Sequence, residues 1–296
     1  MTAPSPVPAP SPAPLPVCSA APAREEPLEN VAYVYDGTLE GLLTAVFRAY
    51  ENHEDPQDVV KAGTLRPRLD QSMRTIETDQ ARALRVAAGV RRTCGDEAFQ
   101  KIMHASLSDD PTAGTVVYRF ICYAMPPGCT SADGRRAKAR PRALDEMTHP
   151  AVEPLLRLDR AVMNERHKLM QFMRFEHLDN GVWFARCNPN ASVVPLLMDW
   201  FSARFNTQPF IVFDENHALA GVSAGGEWYL VSADAIDLPA QASEERLMQS
   251  AWKLFYDTVA VEARYNPELR RQFMPMRLWK NILEVQDELP GTDLRK

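Results

Sequence analysis

The sequence predicts an α+β protein: a helical bundle region, then an antiparallel sheet of about five strands with a crossing helix, closed by a long C-terminal helix. Three observations predict it. Leu155, Leu158, Val162, Leu169 and Phe172 recur at helical spacing, with Glu165 or Arg166 filling the intervening turn. Directly after that helix, Asp179-Asn180-Gly181 divides two runs rich in aromatic and β-branched residues, the signature of a hairpin. Further runs of that kind follow residue 205, whereas residues 38–125 are dominated by helical periodicity.

Taken in order, residues 1–29 form a Pro/Ala-rich tail. Pro4, Pro6, Pro8, Pro10 and Pro12 stand among Ala and Ser, a composition with little to bury that favours polyproline II, so a disordered extension is expected. An α+β domain is expected over 30–285, with a helical part at about 38–125, a basic loop at 126–149 and a helix-plus-sheet part at 150–285; a flexible C-terminus, 286–296, follows. Val31-Ala32-Tyr33-Val34-Tyr35 reads as a short strand ended by the turn pair Asp36-Gly37. Thr38 then caps a helix whose Leu39, Leu42, Leu43, Val46, Phe47 and Tyr50 make one apolar face. Further helices are expected from Thr78, from a cap at Asp96 and from Asp110-Pro111, the last apolar on most sides with Arg119 as its exception.

Between Pro126 and Pro150 the run Arg135, Arg136, Lys138, Arg140 and Arg142 contains no acid; it is a solvated linker or a salt-sensitive phosphate contact. From Asn190 to Phe205, Pro195 suits a first helical turn, and Leu196, Leu197, Trp200, Phe201 and Phe205 form an apolar stripe. Phe210–Phe213, Ala218–Val222 and Trp228–Val231 are separated by Asp214-Glu215-Asn216 and Gly225-Gly226 and read as an antiparallel meander, giving a β-β-α-β-β-β order. Ser243 is placed to cap the last long helix, with Glu244 and Glu245 in its first turn and Asn266-Pro267 as its stop.

A net charge of −6 and a pI near 5.6 exclude a surface coated in basic residues for non-specific nucleic-acid binding and leave room only for a local basic patch. Cys18, Cys94, Cys122, Cys129 and Cys187 are odd in number and scattered, with no CxxC pair, and read as free thiols in a reducing cytoplasm. No metal and no cofactor is expected. No apolar run approaches the roughly 20 residues that span a bilayer, and no secretory signal is seen, so a soluble, cytoplasmic protein without a membrane partner is expected. Walker, GxGxxG, HExxH and CxxxCxxC patterns are absent from the sequence.

No catalytic residue can be assigned. Glu165, His167 and Glu176 are the acid-base candidates, with His177 and Asp214 beside them, but Glu165 and His167 stand two positions apart on a helix and point to different sides. A structural hydrogen-bond network is the competing reading. For nucleic acid, Lys168, Arg174, Arg204, Arg277 and Lys280 are the candidate phosphate-reaching cations, and Trp279 the candidate stacking platform for an unpaired base. Against this, Phe273, Met274, Leu278 and Trp279 suit a staple that fixes the terminal segment to the core.

Three separated motifs carry a resemblance. Tyr33-Val34-Tyr35-Asp36-Gly37-Thr38 with Glu40-Gly41-Leu42-Leu43, then Glu165-x-His167-Lys168 before Phe172-Met173-Arg174-Phe175, then Phe273-Met274-Pro275-x-Arg277-x-Trp279-Lys280-Asn281, together resemble the DUF4130 family, described as DNA metabolism proteins, over about residues 31–285. The resemblance implies a bacterial, non-catalytic accessory protein that associates with nucleic acid in DNA repair or modification. It also implies a radical-SAM protein with a helix-hairpin-helix segment as partner. Some members are fused to a uracil-DNA glycosylase domain, which this chain lacks, and no catalytic residues carry over. Two alternatives stay open: an enzyme acting on a nucleobase or DNA end through Glu165, His167 and Glu176, and a structural adaptor without DNA contact. On the accessory reading, Arg174, Arg204, Arg277 and Lys280 are expected to converge on one face, and Phe273–Leu283 to form the docking segment.

Overall fold

The computed structural model describes residues 30–64, 68–126 and 138–288. The expected tail at 1–29, Arg135 and Arg136 of the basic loop, and the chain end from 289 lie outside the described residues. The first strand, β1 (Val31–Tyr35), is apolar enough to be buried on both faces and sits at the centre of a three-stranded sheet. Its neighbours β2 (Asp58–Lys61) and β3 (Ser72–Thr75) both run parallel to it, in the order β2-β1-β3. These two strands correct the expectation of a purely helical stretch at 38–125. Each is four residues long and β3 is largely exposed, so neither shows a two-residue period; pairing with β1 makes them strands.

Helix α1 (Leu39–Asn52) carries the chain from β1 to β2 and is capped as expected, the Thr38 hydroxyl accepting from Gly41 N–H at 2.9 Å. The helices expected from Thr78 and Asp96 are one element, α2 (Gln80–Ser106), kinked at Gly95, whose φ of 86° only glycine adopts without strain. Its cap is Asp79, which accepts from Arg82 N–H; Thr78 instead donates its hydroxyl to Asp36 at 2.7 Å. Helix α3 (Ala113–Ala124) lies so close on β2 that a Cβ at Gly114 would fall 2.4 Å from the Val59 carbonyl oxygen.

Helix α4 (Glu153–Phe172) joins two cores. Leu155 and Leu158 pack into the core built by β1, α1, α2 and α3, and Val162 and Leu169 into a second one further along the chain. The hairpin follows as expected, β4 (Glu176–His177) and β5 (Trp183–Cys187) pairing antiparallel around Gly181 at φ 83°. The sheet continues through β6 (Phe210–Asp214), β7 (Leu219–Ala224) and β8 (Glu227–Ser232) in the order β4-β5-β6-β7-β8.

This sheet is mixed, which corrects the antiparallel expectation: β5 and β6 run parallel. The cause is α5 (Val194–Arg204), which carries the chain back along the sheet so that β6 starts at the same end as β5. Leu197, Met198 and Phe201 of α5 cover one face against Phe210 and Val212. The opposite face, with Phe184, Phe213 and Ala220, is partly covered by Ile236 and Leu238 of the following loop.

The last long helix is shorter than expected. It is α6 (Glu245–Val259), with Glu244 rather than Ser243 at its cap position and no side-chain cap bond. A backbone turn, Glu245 N–H to the Ala242 carbonyl at 2.9 Å, takes the cap's place. Asn266 does not end this helix but caps the next one, α7 (Pro267–Phe273), accepting from Leu269 N–H at 2.9 Å. Two 3-10 segments, Met276–Asn281 and Leu283–Glu288, then lay Leu278, Trp279, Ile282 and Val285 into the second core.

Candidate functional site

The side chains with binding chemistry gather where three elements meet: the β4–β5 hairpin, the first turns of α6 and the terminal 3-10 segments. Between them lies a cleft of about 730 Å³. Alternation along β5 puts Phe184 and Arg186 on the same sheet face, and Glu176, paired with Phe184 across the hairpin, joins them. Glu245, Met248, Gln249 and Trp252, spaced i, i+3, i+4 and i+7 on α6, form the facing wall. Lys280, Asn281 and Gln286 close one end.

Polar bonds hold α6 over this cleft. Glu245 accepts from the backbone N–H of His177 at 3.1 Å and from the Gln249 amide at 2.9 Å. Ala242 N–H donates to the His177 carbonyl and Asp179 N–H to the Ala240 carbonyl. Glu284, its side chain 5% exposed, accepts from Arg174 at 2.5 Å, and the same guanidinium stands 6.0 Å from the Trp252 ring centre. Burial alone would raise that carboxyl, yet the Arg174 bonds hold it below the usual glutamate value.

At the closed end Arg186 and Lys280 share one acid. Arg186 Nη1 lies 3.6 Å and Lys280 Nζ 3.1 Å from Glu215, and both cations are about half exposed. The Asn188 amide, then Lys280 and Arg186, keep the Glu215 carboxyl below its ordinary value despite partial burial. Two cations thus face one carboxylate. At the opposite end Glu176 accepts from the Gln241 amide at 2.6 Å through one oxygen, and no other hydrogen bond to its carboxylate occurs among the described residues.

The expected site residues divide. Arg174, Glu176 and Lys280 line the cleft together. Arg277 is committed elsewhere, to the buried Glu165 carboxylate and the Asn188 carbonyl. Glu165 also accepts from Asn190 N–H, so its buried carboxylate is fully employed in tying α4 to the chain end. Arg204 sits exposed at the end of α5, over the Trp200 ring, across the sheet from the cleft. Lys168 is half-buried on α4 and has no ion pair among the described residues. Trp279 is 2% exposed and gives its indole N–H to the Met274 carbonyl at 3.0 Å, which leaves no free ring face for a base. Glu165, His167 and Glu176 have separate partners; His167 is exposed and, among the described residues, bonds only to Gln171 of its own helix. Sequence reading missed Arg186, Trp252 and the glutamines of the cleft. Arg186 did carry a signal, a cation inside an otherwise apolar strand.

A second cluster lies between the two sheets. His217 Nδ1 is 2.6 Å from the buried Asp214 and its Nε2 is 2.8 Å from Asp109, beside Lys61, which donates to the Ser108 carbonyl. Burial works against a charged imidazole here, but the bonds to Asp109 and Asp214 outweigh it and lift His217 to about 9. Among the described residues there is no group of three or more side chains placed to hold a metal ion, and no helix long and apolar enough to cross a membrane.

A family model described as a domain of unknown function, DUF4130, matches residues 111–284, a span that holds every residue lining the cleft except Gln286 and leaves out β1, α1, β2, β3 and α2. Comparison with curated proteins gives no match.

Proposed function

Because this chain belongs to the DUF4130 family, whose description states no activity, we propose its function from the arrangement of its C-terminal half. It is a non-catalytic accessory protein of a bacterial DNA repair or modification system, associating with nucleic acid at the cleft and docking a radical-SAM protein through α6.

The observation that carries this reading is the orientation of α6. A helix with so strong an apolar stripe normally turns that stripe toward its own core. Here Glu245, Gln249, Lys253 and Tyr256 face the body, while Leu247, Leu254, Phe255 and Val259 stand 55–70% exposed. The apolar exposure continues into α7, with Leu269 at 49% and Phe273 at 69%. Burying one such side chain is worth about 1.5–3 kcal/mol, so covering this face is a sufficient drive for association. The docking surface expected at Phe273–Leu283 therefore moves upstream, because Leu278, Trp279 and Ile282 are spent on the chain's own core.

Anaerobic co-expression with the radical-SAM protein and affinity pull-down test the reading. The wild-type chain should retain the partner. A Leu247→Glu/Leu254→Glu variant should lose it while melting within about 2 °C of wild type, since both positions are solvent-exposed. Absence of a complex, or a complex indifferent to these charges, overturns the docking reading.

A further inference from the structure

We infer that the cleft between the β4–β5 hairpin and α6 is a binding site for a single nucleotide, with the phosphate at Arg186 and Lys280, the base beside Trp252, and Glu176 accepting from the base edge. This deepens the nucleic-acid part of the function proposed above and rests on it, naming the ligand unit and the residues that hold it.

The two ends of the cleft differ in chemistry. At one end Arg186 and Lys280 have, among the described residues, only Glu215 as an ion-pair partner, at 3.6 and 3.1 Å, with side chains 47% and 49% exposed. A guanidinium carries five donors and an ammonium three, so most of their hydrogen-bonding capacity and one net positive charge remain for an anion. Arg174, by contrast, is neutralised within the fold by Glu284, which restricts the anion position to the Arg186 end. At the other end Glu176 offers an acceptor-only group beside the exposed Gln241 amide.

Between the ends the wall is aromatic and fixed. Trp252 is 42% exposed, with the Phe255 ring packed 5.7 Å from it and the Arg174 guanidinium, itself held by Glu284, 6.0 Å from its ring centre. An indole restrained in this way gives a stacking surface at little entropic cost. A volume of about 730 Å³ suits a small ligand and is too small for a duplex, and a chain of net charge −6 has no long cationic track for one. Cation end, indole wall and carboxylate-amide end match phosphate, base plane and base edge.

The acceptor at Glu176 also sets a preference. Guanine presents a ring N–H and an adjacent amino group to one carboxylate, adenine and cytosine an amino group only, and uracil a single ring N–H. Guanosine 5′-monophosphate should therefore bind best.

The test is titration of the full chain with guanosine 5′-monophosphate, followed by tryptophan fluorescence and calorimetry, with uridine 5′-monophosphate, guanosine and inorganic phosphate as comparisons. The expected result is saturable binding of the guanine nucleotide, about tenfold tighter than any comparison ligand. Arg186→Gln and Lys280→Gln should each weaken it about tenfold, Trp252→Phe should remove the fluorescence change, and Glu176→Gln should erase the preference over the uridine nucleotide. Melting curves check that the variants fold; should Lys280→Gln fail, Arg186→Gln decides. A short single strand bearing a 5′-terminal guanosine phosphate distinguishes sources: tighter binding than the free nucleotide identifies a strand end, equal binding a free nucleotide. No binding at about 1 mM ligand, inorganic phosphate binding as tightly as the nucleotide, or affinity unchanged in Arg186→Gln overturns the inference. The Leu247→Glu/Leu254→Glu chain, which leaves the Phe255–Trp252 contact in place, should still bind the nucleotide, so failure of this site and failure of partner docking are read separately.

Discussion

The Arg277 guanidinium closes on the buried Glu165 carboxylate from 112 residues further along the chain, and with Asn190 N–H it supplies that carboxylate's hydrogen-bond partners. This pair joins α4 to the terminal 3-10 segment. It turns an acid-base candidate and a candidate phosphate-reaching cation into a single structural clamp.

Removing one partner of a buried pair leaves the other charge uncompensated, so Arg277→Met should lower unfolding free energy by about 3 kcal/mol. The double variant Arg277→Met/Glu165→Leu should recover most of that loss, since an apolar replacement of both groups removes the desolvation problem. Chemical denaturation of the four proteins in the cycle checks this; equal losses in the single and double variants would contradict the clamp.

The His217 junction predicts a pH dependence. Its folded pKa, about 9, lies above the ordinary 6.5, so the charged imidazole between Asp109 and Asp214 contributes stability that is fully present below pH 6.5. That contribution is lost as pH rises through 9. Melting temperature should fall more steeply between pH 7 and 9.5 for the wild type than for His217→Gln, and parallel curves would refute the charged bridge.

Trp279 and Leu254 should respond oppositely to truncation. Trp279→Ala empties a site that is 2% exposed and should cost about 3–5 kcal/mol. Leu254→Ala, at a position 69% exposed, should change stability by no more than about 0.5 kcal/mol. Denaturant midpoints for the two variants separate a core staple from a docking surface.

Gly114→Ala should destabilise the protein by about 1–3 kcal/mol, because the added methyl meets the Val59 backbone rather than a flexible side chain. Gly63→Ala makes the control from the opposite cause: nothing lies within 4 Å of its Cβ, so any cost there comes from its φ of 81° alone. Thermal melts in which Gly114→Ala matched wild type would mean that α3 can move off β2 freely.

Local patterns made much of the fold legible. The Thr38 cap, the apolar face of α1, the Asp179-Asn180-Gly181 hairpin and the Pro195 helix start are decided within a few residues, and the structure shows each of them. The α+β class follows from the same short-range periodicities. What sequence left undecided depends on distant partners. β2 and β3 become strands only against β1, and the parallel β5–β6 pair exists because α5 turns the chain back. Arg174, Arg277 and Lys280 look alike in sequence, yet tertiary contacts commit Arg277 to a buried carboxylate, neutralise Arg174 with Glu284, and leave Lys280 sharing Glu215 with Arg186. The amphipathic stripe of α6 is equally plain in the sequence, but periodicity fixes only that two faces differ. Which face meets the body is set by a polar group brought from elsewhere, the His177 backbone N–H that donates to Glu245, and so by the tertiary structure alone.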